Sequence, residues 1–567
     1  MSMSYVDFDG KNIKLYIPYS EKDLISFLPE KYSTISKCYL LPPSTVFDLQ
    51  LLFPNIIKSN TFLELEKKYL DEFNKLSLLK SENIDMTLDI FENTGLKEYT
   101  KIRKYQLTGI LFCYQRKKVL LADEMGLGKG LISLATTLLT KKYNNVKKVL
   151  IICPNSIKFS VWEKEIQKWT DEPYLIIGGS KERKESDIKN LSKYFYIVIN
   201  YEAIRLKKNG DTNNIHKSLY NWNPNFIILD ECHAIKNKDA LQTKAIKLFK
   251  PEFCILATGT PVLNKTNELW SLLNYLDAEY WSSYWKFIQR YCILEEKYVG
   301  YNRKVKVISG SKNLDELKER MFPYYIGRTK KEVMSYLPDK IYETRFMSLL
   351  DEQKKIYNEL ITNLITEIEG KIITINRQFI VTKLLRLLQV CDTLQTLGGK
   401  DISIKLDECE NIVNDLSLNH KIVFFTWFKE TARALETRLL NKNINVVRID
   451  GEVKEKQRKE LIDKFQSDKN CRVFIATLST CGVGIDLTCA DVCVFVSRSY
   501  TPAINDQAES RLHRSGQKNV VNIITLITQG TIEEKISILL ENKKDLFKTL
   551  FREYDKQEVK NLFVKVT

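Results

Sequence analysis

Short runs of consecutive apolar residues recur along the chain, each ending in a polar or glycine-rich turn. Val119-Leu120-Leu121-Ala122, Val149-Leu150-Ile151-Ile152-Cys153, Phe195-Tyr196-Ile197-Val198-Ile199, Phe226-Ile227-Ile228-Leu229 and Phe253-Cys254-Ile255-Leu256-Ala257 form one series, and Ile422-Val423-Phe424-Phe425 opens a second. Runs of this length without polar alternation read as strands buried on both faces, the pattern of parallel sheets covered by helices. Helical patterns lie between them. Leu131-Ile132-Ser133-Leu134-Ala135 continues as one helix, and Trp162, Glu163 and Trp169 sit on another, amphipathic one. The first hundred residues read as a small α/β unit. Ile13 to Ile17 alternates as a strand does, Ser20-Glu21-Lys22-Asp23 reads as a helix start capped by Ser20, Leu40-Leu41-Pro42-Pro43-Ser44 is a turn, and Phe62 to Leu79 has helical periodicity. From about 270 to 400 the patterns are mostly helical, aromatic-rich at first (Trp270, Trp281, Trp285, Tyr291), and Thr531-Ile532-Glu533-Glu534-Lys535 begins a late helix.

Composition narrows the class. A chain of 567 residues holds about three to four domain-sized units. Lys and Arg exceed Asp and Glu by 87 to 71, a net charge of +16, which favours a polyanionic partner, most simply nucleic acid. A merely soluble lysine-rich protein would carry the same charge. The 12 cysteines form no Cys-x-x-Cys pair, and Cys481, Cys489 and Cys493 fit no zinc module. Four dispersed histidines do not complete a metal site. Reduced thiols and an intracellular setting are expected. No basic segment followed by an apolar stretch opens the sequence, and no run has membrane-spanning length, so neither a leader nor a membrane partner is expected.

The candidate chemistry lies where strands end. Asp123-Glu124-Met125-Gly126-Leu127-Gly128-Lys129-Gly130 stands between a strand and a helix. Glycines in that context let backbone N–H groups approach a polyphosphate, the helix N-terminus adds its dipole, and the lysine reaches the terminal phosphates. Asp230-Glu231 ends another buried strand, where ligands bind in open α/β sheets; Asp230 is the candidate Mg²⁺ ligand and Glu231 the candidate group for orienting the attacking water. Gln106, some twenty residues before the loop, has the donor and acceptor needed for an adenine edge. Thr258-Gly259-Thr260-Pro261 supplies hydroxyls near the phosphates. Arg511 and Arg514 are spaced i, i+3, so one helix would present both on one face.

In this order the motifs resemble those of the Snf-type (sucrose non-fermenting) ATPases of helicase superfamily two. Asp230-Glu231-Cys232-His233 with Ile235-Lys236-Asn237, and Thr258-Gly259-Thr260-Pro261-Val262-Leu263-Asn264, fit the first half of that pattern. The second half is matched by Gly327-Arg328-Thr329-Lys330-Lys331 with Leu337-Pro338-Asp339-Lys340, by Asp450-Gly451 with Arg458, by Ser479 to Thr488, and by Gln507 to Gln517. The resemblance implies an α/β fold of two tandem RecA-like lobes with helical protrusions. Its domains would be an N-terminal accessory domain 1–100, lobe 1 over 101–290, protrusions and linker over 291–400, lobe 2 over 401–550 and a tail 551–567. It implies ATP and Mg²⁺ as cofactors and double-stranded or branched DNA as partner, with Gly484 and Asp486 in the segment that grips DNA and closes on nucleotide. Arg511 and Arg514 would be the arginine fingers, and basic stretches at 302–306 and 328–331 would be phosphate contacts or solvated faces. A monomer is implied, nuclear in a eukaryote and cytoplasmic in a prokaryote or virus. Residues 1–100 are either a targeting surface for protein partners or a packing appendage. Compact family members include remodellers, annealing helicases and polymerase-recycling factors, and the short N-terminal domain leans toward annealing, fork remodelling or a viral relative.

One position departs from the pattern. Gly130 stands where the family has the Thr or Ser whose hydroxyl ligates Mg²⁺. Two outcomes are open: a water fills the gap and hydrolysis persists, or the protein is a hydrolysis-impaired, nucleotide-gated DNA-binding scaffold. An RNA helicase is disfavoured by the loop and by the His513-Arg514-Ser515-Gly516-Gln517 ending.

Overall fold

The computed structural model describes residues 4–81, 87–259, 266–299, 303–370, 377–453, 455–480 and 485–541. The chain divides into two units, Met1–Val333 and Met334–Thr567.

The first unit begins with a five-stranded sheet. Its strands are β1 (Tyr5–Phe8), β2 (Ile13–Tyr16), β3 (Lys31–Ser33), β4 (Cys38–Leu41) and β5 (Ile57–Lys58), in the order β3-β4-β2-β1-β5. Ser59 caps the helix Asn60–Lys80 by accepting from the Phe62 N–H at 3.1 Å. That helix serves two cores. Phe62 and Leu65 pack on the small sheet with Val6, Ile13 and Leu15, while Leu76 and Leu79 enter the core of the large sheet that follows. Ser20 is not a helix cap: Tyr19–Glu21 is a 3₁₀ turn, and the short helix Lys22–Ile25 follows without a side-chain cap.

The large sheet contains β6 (Lys118–Leu121), β7 (Val149–Cys153), β8 (Tyr174–Ile176), β9 (Tyr196–Asn200), β10 (Phe226–Asp230) and β11 (Phe253–Ala257); all but the short β8 are strands that the apolar runs predict. An antiparallel hairpin follows, β12 (Cys292–Val299) with β13 (Arg303–Ser311), and then β14 (Tyr325–Ile326) joins the large sheet at its edge. The sheet order is β14-β6-β11-β10-β7-β9-β8, and every pairing is parallel. The hairpin corrects the expectation of helix here. Lys304-Val305-Lys306-Val307 alternates polar and apolar residues, a strand period that the aromatic-rich helices upstream obscured.

Polar bonds join the small domain to its neighbour. Asp48 accepts from Tyr280 Oη at 2.7 Å and pairs with Arg320 Nε at 3.0 Å, Lys286 donates to the Leu28 carbonyl at 2.6 Å, and Lys80 donates to the Phe322 carbonyl at 2.7 Å. Burial pushes the Asp48 carboxyl up and Lys80 down to about 7. A cavity of about 590 Å³ lies in this seam, walled by Phe47, Tyr69, Phe73 and Phe322.

The second unit is built on β15 (Lys340–Met347), β16 (Ile422–Thr426), β17 (Val446–Ile449), β18 (Val473–Thr477), β19 (Val492–Phe495) and β20 (Val521–Thr528). They form a parallel sheet in the order β15-β20-β19-β16-β18-β17. Lys340 and its neighbours therefore belong to this sheet. Inside it, the fully buried Lys405 ammonium donates to Asp392 at 3.1 Å, to the Val496 carbonyl at 2.7 Å and to Glu533. The two carboxylates hold Lys405 charged against burial, well above the usual lysine range.

Among the described residues no helix is long and apolar enough to cross a membrane, and no three His, Cys, Asp or Glu residues cluster as a metal site. The described cysteines are free, and all but Cys489 are buried.

Candidate nucleotide site

Register brings the first-unit motifs together. Leu121 pairs with Ala257, and Ala257 with Asp230, so β6, β11 and β10 end side by side at one level. The loop 123–128, Asp230-Glu231 and Thr258 leave from those three ends. Residues separated by more than a hundred positions thus share one sheet edge, the place where open α/β sheets bind ligands.

The loop needs its glycine. Gly128 has φ +86°, and a Cβ there would stand 2.5 Å from Gln106 Nε2. Only glycine permits both. Gln106 is buried and bridges locally. Its carbonyl oxygen accepts from the Arg103 N–H at 3.1 Å, and its Nε2 donates to the Leu127 carbonyl at 3.2 Å. Tyr105 Oη donates to the same carbonyl at 3.1 Å. Leu127 itself is buried and anchors the turn. Lys129 opens the helix Lys129–Asn144, and its Nζ donates to the Asp123 carbonyl at 2.7 Å and the Glu124 carbonyl at 3.4 Å. Burial lowers the pKa of this ammonium, opposed by Glu231, Asp123 and Asp230.

The Asp123 and Glu124 carboxylates are engaged by residues that follow β14. The Asp123 carboxylate is fully buried against Arg328, which donates through Nε at 3.0 Å and Nη2 at 2.5 Å. Arg328 also donates to the Tyr105 carbonyl and to Thr108 Oγ1. A Cβ at Gly109 would stand 2.6 Å from Arg328 Nη2, so that mid-helix glycine admits the guanidinium. The Lys330 N–H donates to Glu124 at 2.7 Å, and the Lys330 side chain is buried. Arg328 and Lys330 are therefore neither phosphate contacts nor a solvated face. They follow β14 inward, and the apolar Tyr324-Tyr325-Ile326 before them is the sequence signal that an edge strand points them there.

Asp230 accepts from Trp162 Nε1 at 2.9 Å and from the Glu231 N–H at 3.0 Å. Burial, and Glu231 beside it, push its pKa up to about 6. Glu231 adopts a left-handed backbone, φ +51°, uncommon for a residue with a long side chain and concentrated at functional sites. His233 Nδ1 lies 3.3 Å from its carboxylate. Trp162 ends up beside Asp230 because residues 158–163 form a π-turn ahead of the helix Lys164–Trp169. Such turns often mark functional sites, and the apolar pattern of the segment gives no hint of one.

The donor set fits a nucleotide polyphosphate. A glycine-walled turn opens a helix, a lysine stands inside it, and two adjacent carboxylates flank it at the same strand level. Asp230, at a strand end, is a side chain that could hold a hard cation.

In the second unit, Asp486 accepts from the Thr488 N–H at 3.1 Å and from Thr488 Oγ1 at 2.8 Å, while Gly484 lies outside the described residues, as do Thr260, Pro261 and the tail 551–567. Arg511 is in the helix Pro502–Leu512, but Arg514 is past its end. The shared helical face is therefore corrected. His513 leaves helical geometry with its Nε2 2.7 Å from the Pro338 carbonyl, and Gln517 donates to the Leu512 carbonyl at 3.2 Å, closing the helix before Arg514.

Two parallel-sheet units, one with a phosphate loop and an Asp-Glu strand end, define a helicase-type ATPase core. Residues 105–396 match the SNF2-related domain and residues 404–516 the helicase conserved C-terminal domain, and the chain belongs to the SNF2 family. A relative in Mycoplasma genitalium, the uncharacterized ATP-dependent helicase MG018, is 27% identical over 90% of this chain and 47% of its own length. The TATA-binding protein-associated factor MOT1 of Saccharomyces cerevisiae is 27% identical over 82% of this chain and 28% of its own. The chain thus spans less than half the length of either. The SWI2/SNF2 ATPase core of Sulfolobus solfataricus in complex with double-stranded DNA is 28% identical, covering 83% of this chain and 98% of that one, with a TM-score of 0.37.

Proposed function

We propose that this chain is an ATP-dependent translocase on double-stranded DNA. The observation that supports the reading is the common level at which β6, β11 and β10 end, from which the loop leading to Lys129, Thr258 and Asp230-Glu231 depart. Bound ATP with Mg²⁺ would supply the reactive γ-phosphoryl group and neutralise its charge. Around it, the loop N–H groups and Lys129 would hold the phosphates, and Glu231 would orient water and take its proton. Asp230, fixed by Trp162, would position the cation. Arg511 and Arg514 would supply positive charge as the nucleotide is cleaved. The net charge of +16 and family membership support coupling of that cycle to DNA. Residues 1–81, bonded through Asp48 and Lys80 to lobe 1, act as a brace in this reading. The protein works as a monomer inside the cell, in annealing or fork remodelling.

Steady-state ATP hydrolysis without DNA, with single strands and with duplex tests this. Duplex should stimulate hydrolysis, and Lys129→Ala should abolish it. Equal stimulation by RNA would overturn the DNA assignment. Gly130 favours a second reading, a nucleotide-gated DNA-binding scaffold. Tight duplex binding without hydrolysis would select it.

A further inference from the structure

Gly130 lacks the hydroxyl that the family uses as a metal ligand, and a carboxylate lies beside the position. A Cβ built on Gly130 would lie 3.4 Å from Glu165 Oε2 and 3.5 Å from Glu165 Cδ. The position therefore has room for a side chain, and it is Glu165 that lines the room. The Glu165 carboxylate is half-buried, yet among the described residues it has no ion pair; its hydrogen-bond partner is Trp169 Nε1, 2.8 Å from Oε2. One segment accounts for its aim. Trp162, three residues earlier, holds Asp230 at 2.9 Å, so the π-turn and the helix after it bring one side chain to Asp230 and another to Gly130.

We propose that Glu165 replaces the missing hydroxyl as a protein oxygen available, with Asp230, to the nucleotide-bound Mg²⁺. Magnesium is commonly held by one or two carboxylates together with substrate phosphates and water, so the pair Asp230 and Glu165 suffices without a three-residue cluster. Exchanging a neutral hydroxyl for a carboxylate adds one negative charge to the shell. The chain should then retain divalent-cation affinity despite Gly130, and that affinity should depend on Glu165. This inference rests on the nucleotide-site reading above.

The test reads metal binding rather than turnover. Mn²⁺ is titrated into the full-length protein with saturating ADP, and free Mn²⁺ is followed by electron paramagnetic resonance. Glu165→Gln keeps an oxygen acceptor for Trp169 and should weaken Mn²⁺ binding by about tenfold or more, as loss of a metal-positioning group does. Adding Gly130→Thr to that variant should restore most of the affinity, which a purely structural role for Glu165 would not allow. Unchanged Mn²⁺ affinity in Glu165→Gln overturns the proposal, and so does a loss that the added Gly130→Thr substitution fails to restore. Binding of a fluorescent ADP without divalent metal is measured alongside. Its absence in the wild-type protein would overturn the nucleotide reading itself. Its presence, with Mn²⁺ affinity indifferent to Glu165, would overturn Glu165 alone.

Discussion

Replacing Arg328 by Met should unlock the phosphate loop from its edge strand. The guanidinium makes two bonds to a fully buried Asp123 carboxylate and further bonds to the Tyr105 carbonyl and Thr108. Removing one partner of a buried pair leaves the other charged and unpaired, at a cost of about 3–5 kcal/mol. Unfolding entropy of about 2.1 cal/mol/K per residue gives about 0.7 kcal/mol/K for a unit the size of Met1–Val333, so a loss of about 4 kcal/mol lowers its melting temperature by about 6 °C. Scanning calorimetry of the full chain should show that drop in the transition belonging to this unit, with the second unit's transition unmoved. Arg328→Lys keeps the charge but not the two-pronged geometry, and should fall between. Duplex affinity and its salt dependence should not change beyond what unfolding explains. A variant with unaltered melting but a salt slope lowered by about one would show that Arg328 contacts phosphate, and would refute the reasoning.

Two further outcomes test other parts of the molecule. Lys405→Met leaves Asp392 and Glu533 facing each other in the second unit, and should lower that unit's stability by about 3–5 kcal/mol, read as a selective shift of its calorimetric transition. Asp230→Asn should abolish hydrolysis yet raise the melting temperature of the first unit at pH 7.5. The folded pKa of Asp230 is raised to about 6 from an ordinary value near 3.8, so ionising it on the way from pH 4 to pH 6 costs folding free energy, about 1–3 kcal/mol once complete. At pH 4 the variant and the wild type should melt alike; a stabilisation of equal size at both pH values would contradict the raised pKa.

Five of the large-sheet strands, β6, β7, β9, β10 and β11, were legible because burial on both faces leaves uninterrupted apolar runs, and the loop and Asp-Glu pair because each sits at the end of such a run; β8 and β14, three and two residues long, were too short to show. What was not legible came from distant parts of the chain meeting. Nothing near Asp123 in sequence announces Arg328, which is 205 residues away. Lys405 reads as an ordinary helical lysine until Asp392 and Glu533 close around it. The π-turn that aims Trp162 at Asp230 has the same apolar spacing as a plain helix. The helix end before Arg514 is set by Pro338 and Gln517, so an i, i+3 count alone misjudged it. The hairpin at 292–311 was hidden for a local reason: its alternation is short and follows strongly helical aromatic sequence.

The pairing of β14 with β6 has a consequence for synthesis on the ribosome. The loop strand emerges early, but its edge partner and Arg328 emerge only after some two hundred further residues, about 10–40 s later at ordinary elongation rates. During that interval β6 offers an open flank and Asp123 has no guanidinium to receive it. The second unit has the converse arrangement, its first strand β15 waiting for its last, β20. Each unit is therefore completed by the chain's return to its own beginning, so nascent chains stalled before residue 325 or before residue 521 should be the forms that chaperones hold and proteases remove.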